Sequence, residues 1–154
     1  MDDSIQWYLG TMGFSWADWV GPFYPLDMAA RDFLGYYSQA FNVVEIDSTF
    51  YGAPRPEIIS RWAAMTPSLF KICLKMPRAI THDKSLVGVQ SELDHFLRTV
   101  KTLGDKLGVI LLQFPPSFSS SNFYELDTLL DELPPGIRFA VEVRHNSWFT
   151  DRTE

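Results

Sequence analysis

The sequence predicts an α/β fold with a parallel sheet and, within that class, an incomplete TIM-type β/α barrel of about five strands and four helices. Two observations carry the class. Strand-like apolar runs alternate with helix-periodic segments along the whole chain, an order that implies right-handed crossovers and a parallel sheet. Each strand-like run also has one apolar parity and one that turns polar toward its C-terminal end. Barrel strands do this where their inward residues reach a solvated mouth. The competing architecture, an open doubly wound sheet, more often has strands apolar on both faces. A third observation sets the extent. The 154 residues suit one domain, 1–154, whereas a closed barrel takes roughly 250.

Residues 7–11 (WYLGT) read as the first strand, followed by an aromatic loop over 12–26 that holds Trp16, Trp19, Phe23 and Tyr24. Asp27 is placed to cap a helix running to about Phe41, with Phe33, Leu34, Tyr37 and Phe41 on one face. Residues 43–47 (VVEID) are the second strand, with Val44 and Ile46 opposing Glu45 and Asp47. Pro56 suits the first turn of the next helix, and Thr66-Pro67 ends it. Residues 70–75 (FKICLK) are the third strand, with Ile72 and Leu74 opposing Cys73 and Lys75.

The stretch after it, 76–90, is long for a connection and so a candidate functional loop. Leu93, Phe96, Leu97, Val100 and Leu103 step at helical spacing. Residues 107–114 (LGVILLQF) form the fourth strand, with Val109, Leu111 and Gln113 on one parity. Asn122 and Glu125 have the spacing of a capping box, ahead of Leu126, Leu129, Leu130 and Leu133. The last stretch, 138–148 (RFAVEVRHNSW), is a fifth strand that stops in ionisable groups. Phe139, Val141 and Val143 share one parity, and Ala140, Glu142 and Arg144 the other.

A net charge of −6 argues against nonspecific binding to a nucleic-acid backbone. One cysteine, Cys73, allows neither a disulfide framework nor a cysteine-rich zinc site within the chain. The first ten residues lack the basic and apolar regions of a signal peptide, and no run is long and apolar enough for a membrane span. A cytoplasmic protein is the expectation.

Five stretches together resemble the domain of unknown function 72 family, also called YecE-like. They are GTMGFSWADWVGPFYP, VVEIDSTFYGAP, FKICLK with Thr81-His82 beyond it, KLGVILLQFPPSF and AVEVRHNSW, in that order across essentially the whole chain. The resemblance implies a TIM-type barrel, of which this chain is the N-terminal portion, and it implies no established reaction. Asp47 stands where members often carry Asn, which adds a negative charge near Glu45.

The candidate residues lie where barrel chemistry sits, at the strand ends and just past them. Glu45 and Lys75, on neighbouring strands, are a rim salt bridge or else a base and an oxyanion stabiliser. Glu142 and Arg144 present the same alternatives, and the Arg144 fork suits a carboxylate or phosphate. Gln113 ends an apolar strand and must find partners for its amide. His82 and His145 are candidate bases or metal ligands, whereas His95 is at a surface position.

Thr49 and Tyr51 are candidate hydrogen-bond donors to a ligand, or turn-stabilising hydroxyls. Trp16, Trp19, Phe50, Tyr51, Phe118 and Trp148 stack on a sugar or base, or plug the top of the core. Three function classes follow. One is an enzyme on a small anionic or sugar-like molecule, with Glu45, Lys75, Glu142 and His145 catalytic; a divalent metal is a variant without diagnostic ligand spacing. The second is a nucleotide or nucleic-acid binding module. The third is an inactive fragment, whose open edge strands would drive self-association or recruit a completing chain.

Overall fold

The computed structural model describes residues 5–149. Five strands form one all-parallel sheet in the sequential order β1-β2-β3-β4-β5: β1 Gly10–Met12, β2 Val43–Ile46, β3 Lys71–Lys75, β4 Leu107–Gln113 and β5 Arg138–Glu142. Four helices fall between them: α1 Phe33–Ala40, α2 Pro56–Met65, α3 Gln90–Val100 and α4 Phe123–Glu132. The order never reverses, so all crossovers of one hand lie on one side of the sheet.

Burial follows from that. Val44, Ile46, Ile72, Leu74, Ile110 and Leu112 point to the helices and are buried. Glu45, Cys73, Lys75, Val109, Leu111, Gln113, Ala140 and Glu142 point the other way and are only partly covered. The helices close the core with one stripe each: Leu34 and Tyr37, Ile59 and Trp62, Leu93, Phe96 and Val100, then Leu126 and Leu129.

Several boundaries differ from the expectation, for local reasons. The first strand begins at Gly10, not Trp7. Residues 7–9 are held by Asn42 instead, whose Oδ1 accepts from Leu9 N at 2.7 Å and whose Nδ2 donates to Trp7 O at 2.8 Å. The expected helix from Asp27 starts only at Phe33, after a 3₁₀ turn over Ala30–Asp32. The Asn122/Glu125 capping box does not form. Asn122 closes the 3₁₀ turn Ser120–Asn122, lacks the extended backbone a cap needs and makes no side-chain cap bond. The fifth strand ends at Glu142, and 146–148 form a separate turn.

Helix α2 begins on Pro56 and ends as expected at Thr66. Its last carbonyls receive the Lys106 ammonium, which donates to Ala63 O and Thr66 O and opposes the negative end of the helix.

One irregularity decides which residues face inward. Between β3 and β4 the register passes from Ile72↔Leu107 to Leu74↔Ile110, so β4 carries one extra residue. Gly108 lies in this bulge, where a Cβ would come within 2.7 Å of Cys73 Sγ. The extra residue shifts the alternation of β4 and turns Gln113 to the face that bears Lys75.

The aromatic loop after β1 packs mostly away from the strand ends. Trp19 stacks parallel to Tyr37 at 6.4 Å, and Tyr24 stacks on Phe33 at 4.0 Å. Tyr24 is fully buried, donates to Phe14 O and has its pKa pushed up to about 12, first by burial and then by Tyr37. Trp16 alone of this group stays half-exposed. Among the described residues no helix is long and apolar enough to cross a membrane.

Candidate functional site

The site is built on the C-terminal ends of β2 to β5. Each strand contributes its last inward residue or the turn after it. Parity places Glu45, Lys75, Gln113 and Glu142 on one face. Gln113 and Glu142 are direct register partners, and the amide Nε2 donates to Glu142 Oε2 at 2.8 Å. Arg144 Nε donates to the other oxygen, Oε1, at 2.9 Å. These two donors hold the Glu142 carboxyl below its ordinary pKa, the Gln113 bond most and the Arg144 bond and charge next. Partial burial opposes them, and the Lys75 charge adds a smaller lowering effect.

Glu45 is treated oppositely. Among the described residues no hydrogen bond or salt bridge engages its carboxylate. Burial pushes its pKa up, Asp47 and Glu142 push it further, and only Lys75 pulls it down. Of the two readings of the Glu45–Lys75 pair, the rim salt bridge does not form among the described residues. Lys75 Nζ lies 4.0 Å from Asp47 Oδ1 instead and stands 4.6 Å over the Phe50 ring. Asp47 opens the 3₁₀ turn Asp47–Tyr51 that follows β2, which lifts its carboxylate toward the end of the Lys75 side chain.

His82 lies on a π-helical turn, Ala79–Asp83, inside the long connection after β3. Single π turns are frequent at functional sites. Its ring meets Phe50 edge-on at 4.8 Å, and Nδ1 contacts Thr81 Oγ1 at 2.9 Å. Burial lowers its pKa first; Lys75, Arg78 and Arg144 lower it further, against Asp83. The Lys75 charge acts on Glu45, Glu142 and His82 alike.

His145 is oriented by its own turn. Its Nδ1 accepts from Ser147 N at 3.1 Å and lies 2.8 Å from Ser147 Oγ, which in turn accepts from Ser120 N. An accepting Nδ1 assigns the ring hydrogen to Nε2.

Other expected site residues have different surroundings. The Thr49 side chain is buried and committed to the backbone. Its Oγ1 accepts from Lys75 N at 3.0 Å and lies 2.7 Å from Lys75 O and 3.0 Å from Ile46 O. It ties β2 to β3 and positions Lys75. Trp148 is buried, stacks on Phe118 and donates its indole N–H to Phe118 O at 2.8 Å. It plugs the core between β4 and β5. Tyr51 is exposed and touches Phe50.

The groups not singled out beforehand are Asp47 and Phe50 as neighbours of Lys75; the shared parity of Asp47 with Glu45 was the available signal. Among the described residues no group of three His, Cys, Asp or Glu is arranged to hold a metal ion. A depression of about 610 Å³ lies at the opposite end of the same face, lined by Lys71, Cys73, Val109 and Arg138. Its Lys71 ammonium is already bonded to Asp105 O.

Known proteins share this chain's pattern. It is 34% identical over 118 residues to the UPF0759 protein YecE of Escherichia coli (strain K12), covering 77% of this chain and 43% of YecE. It is 29% identical over 151 residues to the UPF0759 protein YunF of Bacillus subtilis, covering 93% and 52%. A crystal structure of a DUF72 family protein from Thermotoga maritima matches with a TM-score of 0.80 at 33% identity, over 95% of this chain and 58% of that one. The chain thus spans about half the length of the curated relatives it matches. Residues 8–154 match the family model described as "Protein of unknown function DUF72", and the chain belongs to that family.

Proposed function

We propose that this chain carries the mouth site of a β/α barrel that handles a small anionic or sugar-like molecule by carboxylate acid/base chemistry. One observation carries the reading. Two carboxylates on one face have environments that move their pKa values apart, Glu45 up and Glu142 down. Such a divergence is how a site assigns one carboxyl to donate a proton and another to stay ionised. In this reading Glu45 delivers a proton to a substrate oxygen and Glu142 accepts one from the substrate. Lys75 and Arg144 offset negative charge on the ligand, and His82, kept neutral by its surroundings, is a second acceptor.

The barrel itself is supported by the sequential parallel order, by the helices on a single side and by relatives about twice as long. Barrels of this kind place chemistry at the C-terminal ends of their strands. The 610 Å³ depression then corresponds to the lower interior, which side chains of further strands would fill. The open sides of β1 and β5 are where further strands would pair.

Titration of ¹³C,¹⁵N-labelled protein with D-gluconate, ribose 5-phosphate and D-glucose tests the site. At least one anion is expected to move the Glu142, Arg144 and His82 resonances together. Arg144→Gln should weaken it roughly tenfold, as expected for loss of one charge-assisted hydrogen bond. Ligand responses confined to other surfaces, or no response, would overturn the reading.

A further inference from the structure

We infer that the N-terminal end of the inward face is a docking surface for an acidic strand segment, which pairs along the open side of β5 and brings a carboxylate to Arg138 and Lys71. The inference rests on the barrel reading above and adds what the completing segment carries. A depression of about 610 Å³ occupies that end of the face. Its charge runs against that of the chain. The sequence has 19 Asp and Glu against 13 Lys and Arg. The depression is lined instead by three cations, Lys71, Lys101 and Arg138, and one carboxylate, Asp105.

These groups come from separate elements. Lys71 opens β3, Arg138 opens β5, and Lys101 and Asp105 lie on the 3₁₀ segment Lys101–Lys106 before β4. Lys71 shares the parity of Cys73 and Lys75, and Arg138 that of Ala140 and Glu142, so both stand on the inward face. Neither cation is fully engaged. Lys71 gives one of its three donors to Asp105 O. Among the described residues the Arg138 guanidinium makes no hydrogen bond or ion pair. The rest of the wall is apolar: Leu107, Val109 and Ile137 line the depression and are only partly covered. An occupant that suits this wall brings apolar side chains along with its carboxylate.

Strand β5 supplies the attachment. Among the described strands it pairs with β4 alone, so its other side offers backbone donors and acceptors to an incoming strand. Paired strands lie about 4.8 Å apart, which puts a residue opposite Arg138 within direct reach of its guanidinium. A carboxylate there matches the guanidinium fork, whereas a lysine or arginine would meet like charges. The curated relatives run about twice the length of this chain, so family members have the residues to supply such a segment.

The test titrates the labelled full chain with two short capped peptides, one alternating valine and glutamate, the other valine and lysine. The glutamate peptide is expected to move the backbone amides of 138–142 and the Arg138 and Lys71 side chains in a saturable way. It should bind roughly tenfold more tightly than the lysine peptide, as for one close charge pair. Arg138→Gln should erase most of that preference. Arg31→Gln, beside Asp32 ahead of α1, should leave it unchanged. Equal binding of the two peptides along β5 would overturn this inference and leave the barrel reading standing. The glutamate peptide moving Lys75 and Arg144 but neither Lys71 nor Arg138 would also overturn it. No movement of β5 with either peptide would overturn both this inference and the pairing of further strands on β5.

Discussion

Replacing Gly10 with alanine is expected to unseat β1 and lower stability by about 3 kcal/mol, near the upper end of ordinary single substitutions. A Cβ at this position would lie 1.9 Å from the Val43 carbonyl oxygen, its own register neighbour on β2. That atom is backbone and cannot swing aside as a side-chain tip would. The strands must part, and the bonds that dock β1 part with them. The Tyr37 hydroxyl accepts from Thr11 N at 2.7 Å and donates to Val43 O at 3.1 Å. Gly13 N donates to Glu45 O at 2.7 Å, so displacement of β1 also loosens the backbone that presents Glu45. A thermal melt should show a drop of roughly 10 °C, taking about 2–4 °C per kcal/mol for a chain of this size. A melting temperature equal to the parent's would mean that β1 does not need this close approach.

Equilibrium sedimentation of the chain is expected to show self-association rather than a monomer. Strands β1 and β5 are the two edges of the sheet. Edge strands with free backbone groups and apolar side chains template further pairing. Exposed apolar residues lie at these edges: Ile5, Trp7 and Leu9 just before β1, Met12 on β1 and Val141 on β5. The inward face adds Val109, Leu111 and Ala140, only partly covered. Single exposed apolar residues are ordinary, but a run of them along open edges marks a contact surface. A monomeric mass at high concentration, with a sharp cooperative melt, would contradict this and would show the edges to be protected.

The sequence showed where strands lie and which way they face wherever a helix covers one side. Val44 and Ile46 against Glu45, or Ile72 and Leu74 against Lys75, leave little choice of parity, because a slip of one residue would bury charge. Long-range terms were less legible. Asn42 reaches back to residues 7–9, and nothing local in 7–11 says that a side-chain amide would replace the ladder there. The bulge at Gly108 depends on how β4 meets Cys73, a contact between distant segments.

At the site, strand order put Lys75 opposite Glu45. The turn after β2 brings Asp47 to it instead, and turn geometry is set by the Thr49 bonds to Lys75. Because they follow strands, Thr49 and Trp148 read equally as ligand contacts or as a turn hydroxyl and a core plug. Their hydrogen bonds show that residues after a strand also fasten the strand ends together.

The most direct measurement is a side-chain ¹³C titration of Glu45 and Glu142 in the same sample, with Asp47→Asn beside it. Glu45 should titrate above, and Glu142 below, the ordinary glutamate value of about 4.3. Asp47→Asn should bring Glu45 down, because Asp47 is the largest of the charges that raise it. Titration of both glutamates at the ordinary value, or in the reverse order, would contradict the assignment of one as proton donor and the other as the ionised partner.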